Sequence, residues 1–338
     1  MMRLVTGAAI LSAAALGILL MSQPRSGNAT PAPAAPREEE ALAKNTSREA
    51  FAADRDNGFD AQRAMRYLKK VCEIGPRISG TPGMKKQQEL LQKHFEACGG
   101  KVEFQRFTAR QRSRREPVGM ANMIVSWQSD RARRVILCSH YDTRPIADQE
   151  KDRRKWTDPF LSANDGGSGV ALLMELANRM NGLKTQVGVD FVLFDGEEYI
   201  YDPREEGDRY FIGSEHFAQE YKKSRPKHRY VAAVLLDMIA GKSAHFPVER
   251  NSWLSAASLV QDLWKIAEEE KCTAFQDEFG PEVRDDHLAL NGARIPAVDI
   301  IDMSYAHWHR LSDTPANCSA DSITQVARVL LTWLARVK

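Results

Sequence analysis

The sequence has few cysteines, and none of them are spaced to bind a metal through thiolates. Five cysteines occur in 338 residues, and no two form a Cys-x-x-Cys motif. This pattern excludes a disulfide-built scaffold and a thiolate zinc site, so a metal would have to be held by histidines and carboxylates. We expect buried free thiols, and a Cys72–Cys98 bridge stays open as an alternative because both cysteines flank one predicted helix.

The sequence also lacks an excess of charge of either sign. Lysine and arginine number 47 against 45 aspartates and glutamates, which gives a net charge of +2. Proteins that bind nucleic acid usually have a strong or clustered excess of positive charge, which this sequence lacks. We therefore expect no nucleic-acid partner. With 43% hydrophobic and 27% charged residues, the composition is that of an ordinary globular protein and excludes wholesale disorder.

An uncharged apolar run, 4–21, lies at the N-terminus, where Arg3 precedes it and Gly27-Asn28-Ala29 follows it. A positive residue, an apolar run and a small-residue cleavage site are typical of a signal peptide, although the run is also close to the lower limit for a membrane anchor. We therefore predict that 1–29 is a signal peptide or a membrane anchor. Either kind of segment would place the folded part outside the cytoplasm, where it would be periplasmic, secreted or membrane-anchored. We expect contact with the membrane only through this segment.

The rest of the chain divides into a linker and one domain. Proline, alanine and glutamate dominate 30–46, a composition that predicts a disordered linker. No internal repeat and no second break of this kind follows, so we predict a single catalytic domain over 47–338 and expect a monomer.

Helical and strand patterns alternate along this domain. The predicted helices are 61–71, 84–98, 168–180, 213–222, 253–271 and 322–337. The predicted strands are 101–107, 122–127, 134–139, 187–194, 230–236 and 295–301, and several of them are apolar throughout, as in strands covered on both faces. The alternation predicts an α/β three-layer sandwich, in which a central mixed, mostly parallel sheet has helices on both faces.

Polar side chains stand where the strands of this sheet should end or begin. They are His140 and Asp142, Asp165, Glu197 and Glu198, Asp237, Asp285 to His287, and Trp308 with His309. Ligands bind at the carboxyl ends of parallel strands, so we expect these side chains to meet at one rim. Taken singly, each motif is more typical of a helix cap, a surface pair or a solvated loop. Their convergence on consecutive strand ends favours a shared site.

Crowded carboxylates repel one another unless a cation neutralises them. With imidazole and carboxylate ligands and no thiolate, zinc is the expected metal, and a catalytic zinc takes three protein ligands and one open position. Asp165, Glu198 and His309 offer such a set. Glu197, next to a ligand in the chain, is then placed to act as a general acid and base.

The motifs HYD (140–142), ANDGGSG (163–169), FDGEE (194–198), LLDM (235–238), DDH (285–287) and WH (308–309) resemble, in order, those of the zinc-dependent exopeptidase family with the M28-type aminopeptidase fold. The similarity extends over nearly all of 60–338. Within that family the chain resembles the glutaminyl-peptide cyclotransferases most. The motifs FDGEE, DDH and WHRLSD carry this resemblance.

The resemblance implies roles for individual residues. Asp165, Glu198 and His309 would bind one zinc ion, and Glu197 would move the proton. Asp285 and Asp237 would support Glu197 through a carboxylate network, and Trp308 would shape the substrate pocket. Where the cyclotransferases carry a further pocket tryptophan, this chain offers Tyr199 or Tyr201. In the aminopeptidases a second zinc is completed by two residues that are also present here, His140 and Asp237.

The resemblance therefore implies an aminoacyltransferase that converts the N-terminal glutamine of peptides or proteins to pyroglutamate and releases ammonia. The alternative is a two-zinc aminopeptidase, because the second ligand set is intact. A remote alternative is a metal-binding module without catalysis.

Overall fold

The computed structural model of the protein describes residues 58–204 and 207–338. The predicted signal peptide or anchor (1–29) and the predicted linker (30–46) lie outside the described residues, as do the first residues of the predicted domain. Within the described ranges, no helix has the length and the apolar character needed to cross a membrane.

Eight strands within the described ranges form one large sheet and one small sheet. They are β1 (Lys101–Ala109), β2 (Val118–Trp127), β3 (Arg133–His140), β4 (Gly188–Phe194), β5 (Arg229–Asp237), β6 (Phe246–Val248), β7 (Phe275–Phe279) and β8 (Ala297–Ile301). The large sheet has the order β1-β2-β4-β3-β5-β8, and β6 pairs with β7 separately. Strands β4, β3, β5 and β8 run parallel, whereas β1 and β2 are antiparallel to their neighbours. The central sheet is therefore mixed and mostly parallel, as predicted.

Seven α-helices of the described chain connect or cover these strands. They are α1 (Ala61–Cys72), α2 (Pro82–Ala97), α3 (Gly167–Met180), α4 (Ile212–Ser224), α5 (Arg250–Glu269), α6 (His287–Gly292) and α7 (Ala320–Arg336). Local sequence sets several of their starts: the Asp60 side chain caps α1, and Thr81 followed by a proline begins α2.

Strand β3 shows how the sheet separates two cores. Val135 and Leu137 join the cluster packed by α1, α2, α3, α5 and α7, whereas Ile136 and Cys138 join the cluster packed by α4 and α6. Successive side chains of a strand point to opposite faces, so a fully apolar strand needs helices on both. The predicted α/β three-layer sandwich is confirmed.

The differences from the predicted elements are local. Helix α5 begins at Arg250, three residues early, because the Glu249 carboxylate accepts hydrogen bonds from the backbone N–H groups of Asn251 and Ser252. Three short elements, β6, β7 and α6, were not predicted, since three to six residues carry little periodicity. Cys72 and Cys98 both carry free thiols, so the alternative of a Cys72–Cys98 bridge is not realised.

Candidate active site

Three parallel strands deliver the candidate residues to one edge of the sheet. His140 is the last residue of β3 and Asp237 the last residue of β5. Strand β4, which comes between β3 and β5 in the sequence, ends at Phe194, and the turn that follows it carries Glu197 and Glu198. Gly196 in this turn has a φ of +76°, a left-handed conformation that glycine adopts without strain.

Asp165 comes from a loop that is held from a distant part of the chain. The backbone N–H groups of Asn164 and Asp165 donate to the two oxygens of Asp313, at 2.9 and 3.2 Å. The next residue, Gly166, has a φ of +70°, and a Cβ there would lie 2.7 Å from the His140 ring. Only glycine therefore allows the Asp165 loop to pack this closely on His140.

Asp165, Glu198 and His309 form a buried group whose ligand atoms all lie within 4.8 Å of one another. His309 Nε2 is 3.0 Å from Glu198 Oε2 and 3.5 Å from Asp165 Oδ2. Asp165 Oδ2 is buried and has no hydrogen-bond partner among the described residues. A buried carboxylate oxygen costs free energy unless it is paired or binds a metal. The donor set, one imidazole and two carboxylates, fits a zinc ion with one open position.

The electrostatics of this group agree with a cation site. Burial, followed by the charge of Asp165, raises the pKa of Glu198 to about 7 despite the nearby His309. Two carboxylates this close cannot both stay ionised at low cost without positive charge between them. A bound divalent cation removes that cost, and the site is therefore chemically suited to one.

A second group of three overlaps the first through Asp165. His140 Nε2 lies 3.1 Å from Asp165 Oδ1 and 3.3 Å from Asp237 Oδ1, and these three residues are buried together. The residues that the resemblance assigns to a second metal are thus in place around the shared Asp165.

Glu197 lies beside the group of Asp165, Glu198 and His309, and with His140 and Glu198 it forms a further set of side chains close enough to hold a metal. The Asp142 carboxylate accepts hydrogen bonds from the backbone N–H groups of Glu197 and Glu198, at 3.1 and 3.3 Å. These bonds fix the turn that carries both glutamates. Burial raises the pKa of Glu197 well above its ordinary value, and the charges of Glu198 and Asp285 act in the same direction. A carboxylate with a raised pKa can accept and return a proton near neutral pH.

Asp285 and Asp237 reach the same cavity wall as Glu197. Burial, and then the charge of Asp237, raises the pKa of Asp285 well above its ordinary value. The Asp285 carboxylate accepts the backbone N–H of Asp286 at 2.6 Å. The structure therefore brings together the three carboxylates that were predicted to act as a network.

Two neighbouring residues of the site were not predicted from the sequence. Asp148 Oδ1 lies 3.0 Å from His309 Nδ1, and Arg144 donates to both Asp148 oxygens at 3.0 and 2.8 Å. Burial alone would raise the pKa of Asp148, but the hydrogen bonds from His309 and Arg144 outweigh it and hold the pKa at about 2. Neither residue ends a strand, so no sequence pattern marked them.

A cavity of about 350 Å³ opens over these groups. Its wall combines acidic side chains with apolar ones, among them Met238, Ile301, Met303 and Trp308. Trp308 thus lies at the pocket, where it was predicted.

Tyr199 and Tyr201 are not at the pocket. They pack against each other, with ring centroids 5.2 Å apart, in a separate cluster that includes Met120. The chain turns away directly after Glu198 and returns when the Phe211 N–H donates to the Glu197 carbonyl oxygen at 2.8 Å. Tyr210 and Phe211 consequently line the cavity together with Trp308. The prediction for the two earlier tyrosines is wrong, because it assumed that the chain stays at the rim.

The comparisons with known proteins agree with this geometry. The sequence profile of peptidase family M28 matches residues 122–334. Fimbriiglobus ruber glutaminyl cyclase is 53% identical in sequence, and its crystal structure matches with a TM-score of 0.82. The match covers 83% of this chain and 96% of the cyclase chain. A leucine aminopeptidase precursor from Bacteroides thetaiotaomicron is 29% identical, with a TM-score of 0.77. That match covers 83% of this chain and 98% of the aminopeptidase chain. A glutaminyl-peptide cyclotransferase-like protein of Mus musculus is 26% identical over 80% of this chain and 73% of its own.

Proposed function

The chain belongs to peptidase family M28, and from that premise we propose that it is a zinc-dependent glutaminyl-peptide cyclotransferase. It would convert the N-terminal glutamine of a peptide or protein to pyroglutamate and release ammonia. The observation that carries the proposal is the arrangement of Glu197 beside the group of Asp165, Glu198 and His309 at one cavity. The 53% identity to a bacterial glutaminyl cyclase supports it.

Asp165, Glu198 and His309 would hold the zinc ion. When bound there, zinc supplies a Lewis acid that polarises the γ-carboxamide carbonyl of the substrate. The oxygen and nitrogen donors of the three residues match those of catalytic zinc sites, and three ligands leave one position open.

Glu197 would move the proton that the reaction requires. In cyclisation the α-amino nitrogen forms a bond to the side-chain carbonyl carbon, and the bond from that carbon to the amide nitrogen breaks. Glu197 accepts a proton from the attacking α-amine and returns one to the departing nitrogen, which leaves as ammonia. The raised pKa of Glu197 suits both halves of this transfer.

The neighbouring carboxylates and the apolar wall have separate tasks. Asp237 and Asp285 line the cavity, where their oxygens would accept hydrogen bonds from the N-terminal α-amine, and the charge of Asp285 also raises the pKa of Glu197. The rings of Trp308 and Phe211 and the side chain of Ile301 cover apolar parts of the wall. A wall of this kind limits the entry of water, which would otherwise hydrolyse the same amide.

A two-metal aminopeptidase is the second candidate, and one observation favours it. His140, Asp165 and Asp237 form an intact second group of metal-binding side chains. In that enzyme Glu197 would take its proton from water, and the product would be a shortened peptide.

Metal analysis and paired substrate assays separate the two candidates. The purified protein is analysed for zinc and then incubated with a glutamine-initiated peptide and with an aminoacyl anilide. We expect one zinc per chain and cyclisation of the peptide. Two tightly held zinc ions together with anilide cleavage and no cyclisation would support the aminopeptidase instead. Absence of both activities at full zinc loading would leave the non-catalytic module.

We also propose that the segment 1–29 exports the enzyme, on the strength of its apolar run and small-residue site. Fractionation of cells that make the full chain tests this. The full chain should appear outside the cytoplasm, and a chain that lacks 1–29 should stay inside. Equal cytoplasmic retention of both would refute the proposal.

A further inference from the structure

Asp148 holds the ring of His309 on the side opposite to the other metal-binding residues. His309 Nδ1 lies 3.0 Å from Asp148 Oδ1, while Nε2 faces Glu198 at 3.0 Å. A histidine that donates its Nδ1–H to a carboxylate keeps the Nε2 lone pair free for a metal and has its ring orientation fixed. His309 itself has a φ of +51° and lies outside every helix and strand, so no regular element sets the direction of its ring.

Arg144 connects Asp148 to a second metal-binding residue. Its guanidinium donates to both oxygens of Asp148, a bidentate pair, and its backbone N–H donates to Glu198 Oε1 at 2.9 Å. The second oxygen of Glu198 is left facing His309. The side chains of Arg144 and Asp148 are 2% and 6% exposed, so water screens this pair little.

We propose that Arg144 and Asp148 form one positioning pair that orients two of the three metal-binding residues, Glu198 and His309. The pair has a further contact at the cavity, because Arg144 Nη2 donates to the Tyr210 hydroxyl at 3.2 Å. The inference rests on the metal site of the proposed function and holds for either reaction. Hydrogen-bond partners of metal-binding residues typically contribute about 10- to 100-fold to metal affinity.

The pair has a role distinct from holding its own loop together. That loop is also tied by backbone bonds, since the Gln149 N–H donates to the His309 carbonyl oxygen at 3.2 Å and the Ala147 N–H to the Trp156 carbonyl oxygen at 2.9 Å. Removing the charge of Asp148 while keeping its shape should therefore alter the metal site more than the fold.

The test measures zinc affinity in the whole protein by competition with a chelator. We expect Asp148→Asn to weaken zinc binding by about 10-fold and Asp148→Ala by up to about 100-fold. Arg144→Lys, which keeps the charge and loses the bidentate fork, should weaken it by an intermediate factor. Asp152→Asn is the matched control, because Asp152 pairs with Arg154 at the surface of the same region.

Two further measurements separate positioning from a structural effect. The thermal midpoint of each metal-free variant reports the fold alone, and the visible absorption spectrum of the cobalt-substituted protein reports ligand geometry. We expect a changed cobalt spectrum in the two Asp148 variants, with the metal-free midpoint of Asp148→Asn close to that of the wild type.

Wild-type zinc affinity and an unchanged cobalt spectrum in Asp148→Ala would overturn the proposal. So would an affinity loss in the Asp148 variants that the control Asp152→Asn reproduces. A wild-type protein that binds no zinc would instead overturn the proposed function, and with it this assignment.

Discussion

Replacing Glu197 by glutamine is the most informative single change at this site. Glutamine has the same size, and the backbone N–H of residue 197 still donates to Asp142, so the turn that carries Glu198 should stay in place. What the variant loses is the ability to accept a proton. We therefore expect zinc affinity to remain and turnover to collapse.

The expected loss follows from the role of Glu197 as the proton carrier. Positioned general acids and bases contribute about 10²- to 10⁴-fold to a rate. This factor corresponds to about 3–5 kcal/mol of activation free energy. Because burial and neighbouring charges raise the pKa of Glu197, the wild-type rate should fall on the acid side as Glu197 becomes protonated. The residual rate of the variant should lack that acid limb.

The assay follows ammonia release from a glutamine-initiated peptide across a pH series, for the wild type and Glu197→Gln at matched zinc content. Glu220→Gln serves as the control, since Glu220 lies on the outer part of α4 and pairs with Lys223. A Glu197→Gln variant with more than half the wild-type rate, or with an unaltered acid limb, would refute the assigned role.

Two other predictions concern buried groups outside the metal site. Burial opposes ionisation of Glu249, but its hydrogen bonds with His287 and three backbone N–H groups prevail and lower its pKa from 4.5 to about 2. Because the folded pKa is the lower one, the stability that Glu249 contributes, about 3 kcal/mol, is present above pH 4.5 and is lost as the pH falls toward 2. Urea unfolding should show a Glu249→Gln deficit that shrinks over this interval, and a constant deficit would contradict the linkage. Thiol titration should detect rapid reaction of the half-buried Cys98 in the native protein and of Cys72 only after unfolding, since burial raises the pKa of the Cys72 thiol to about 11. A Cys72 thiol that reacts as fast as that of Cys98 in the native protein, or not at all after unfolding, would contradict this prediction.

The sequence predicted the parts of the fold that depend on local pattern. The run RVILCS (134–139) is apolar throughout, and the structure buries alternate side chains of β3 in two different cores. Because parallel strands end at a common edge, the order of strands and polar residues in the chain was enough to place the residues at the carboxyl ends of β3, β4 and β5 together.

The remaining parts of the site depend on contacts between distant residues. Asp313 holds the Asp165 loop from 148 residues away, and Asp148 reaches His309 across a similar distance in the chain. Neither contact leaves a periodic signal. The prediction of Tyr199 or Tyr201 at the cavity failed for the same reason, since the chain leaves the rim after Glu198 and comes back at Tyr210.

Mass spectrometry of one peptide tests the central proposal most directly. A peptide that begins with glutamine is incubated with the zinc-loaded protein, and the masses of all products are recorded. Cyclisation predicts a single product that has lost one ammonia and keeps every residue, and Glu197→Gln should form it far more slowly. A product shortened by its first residue, with free glutamine in solution, would contradict the proposal and identify a peptidase.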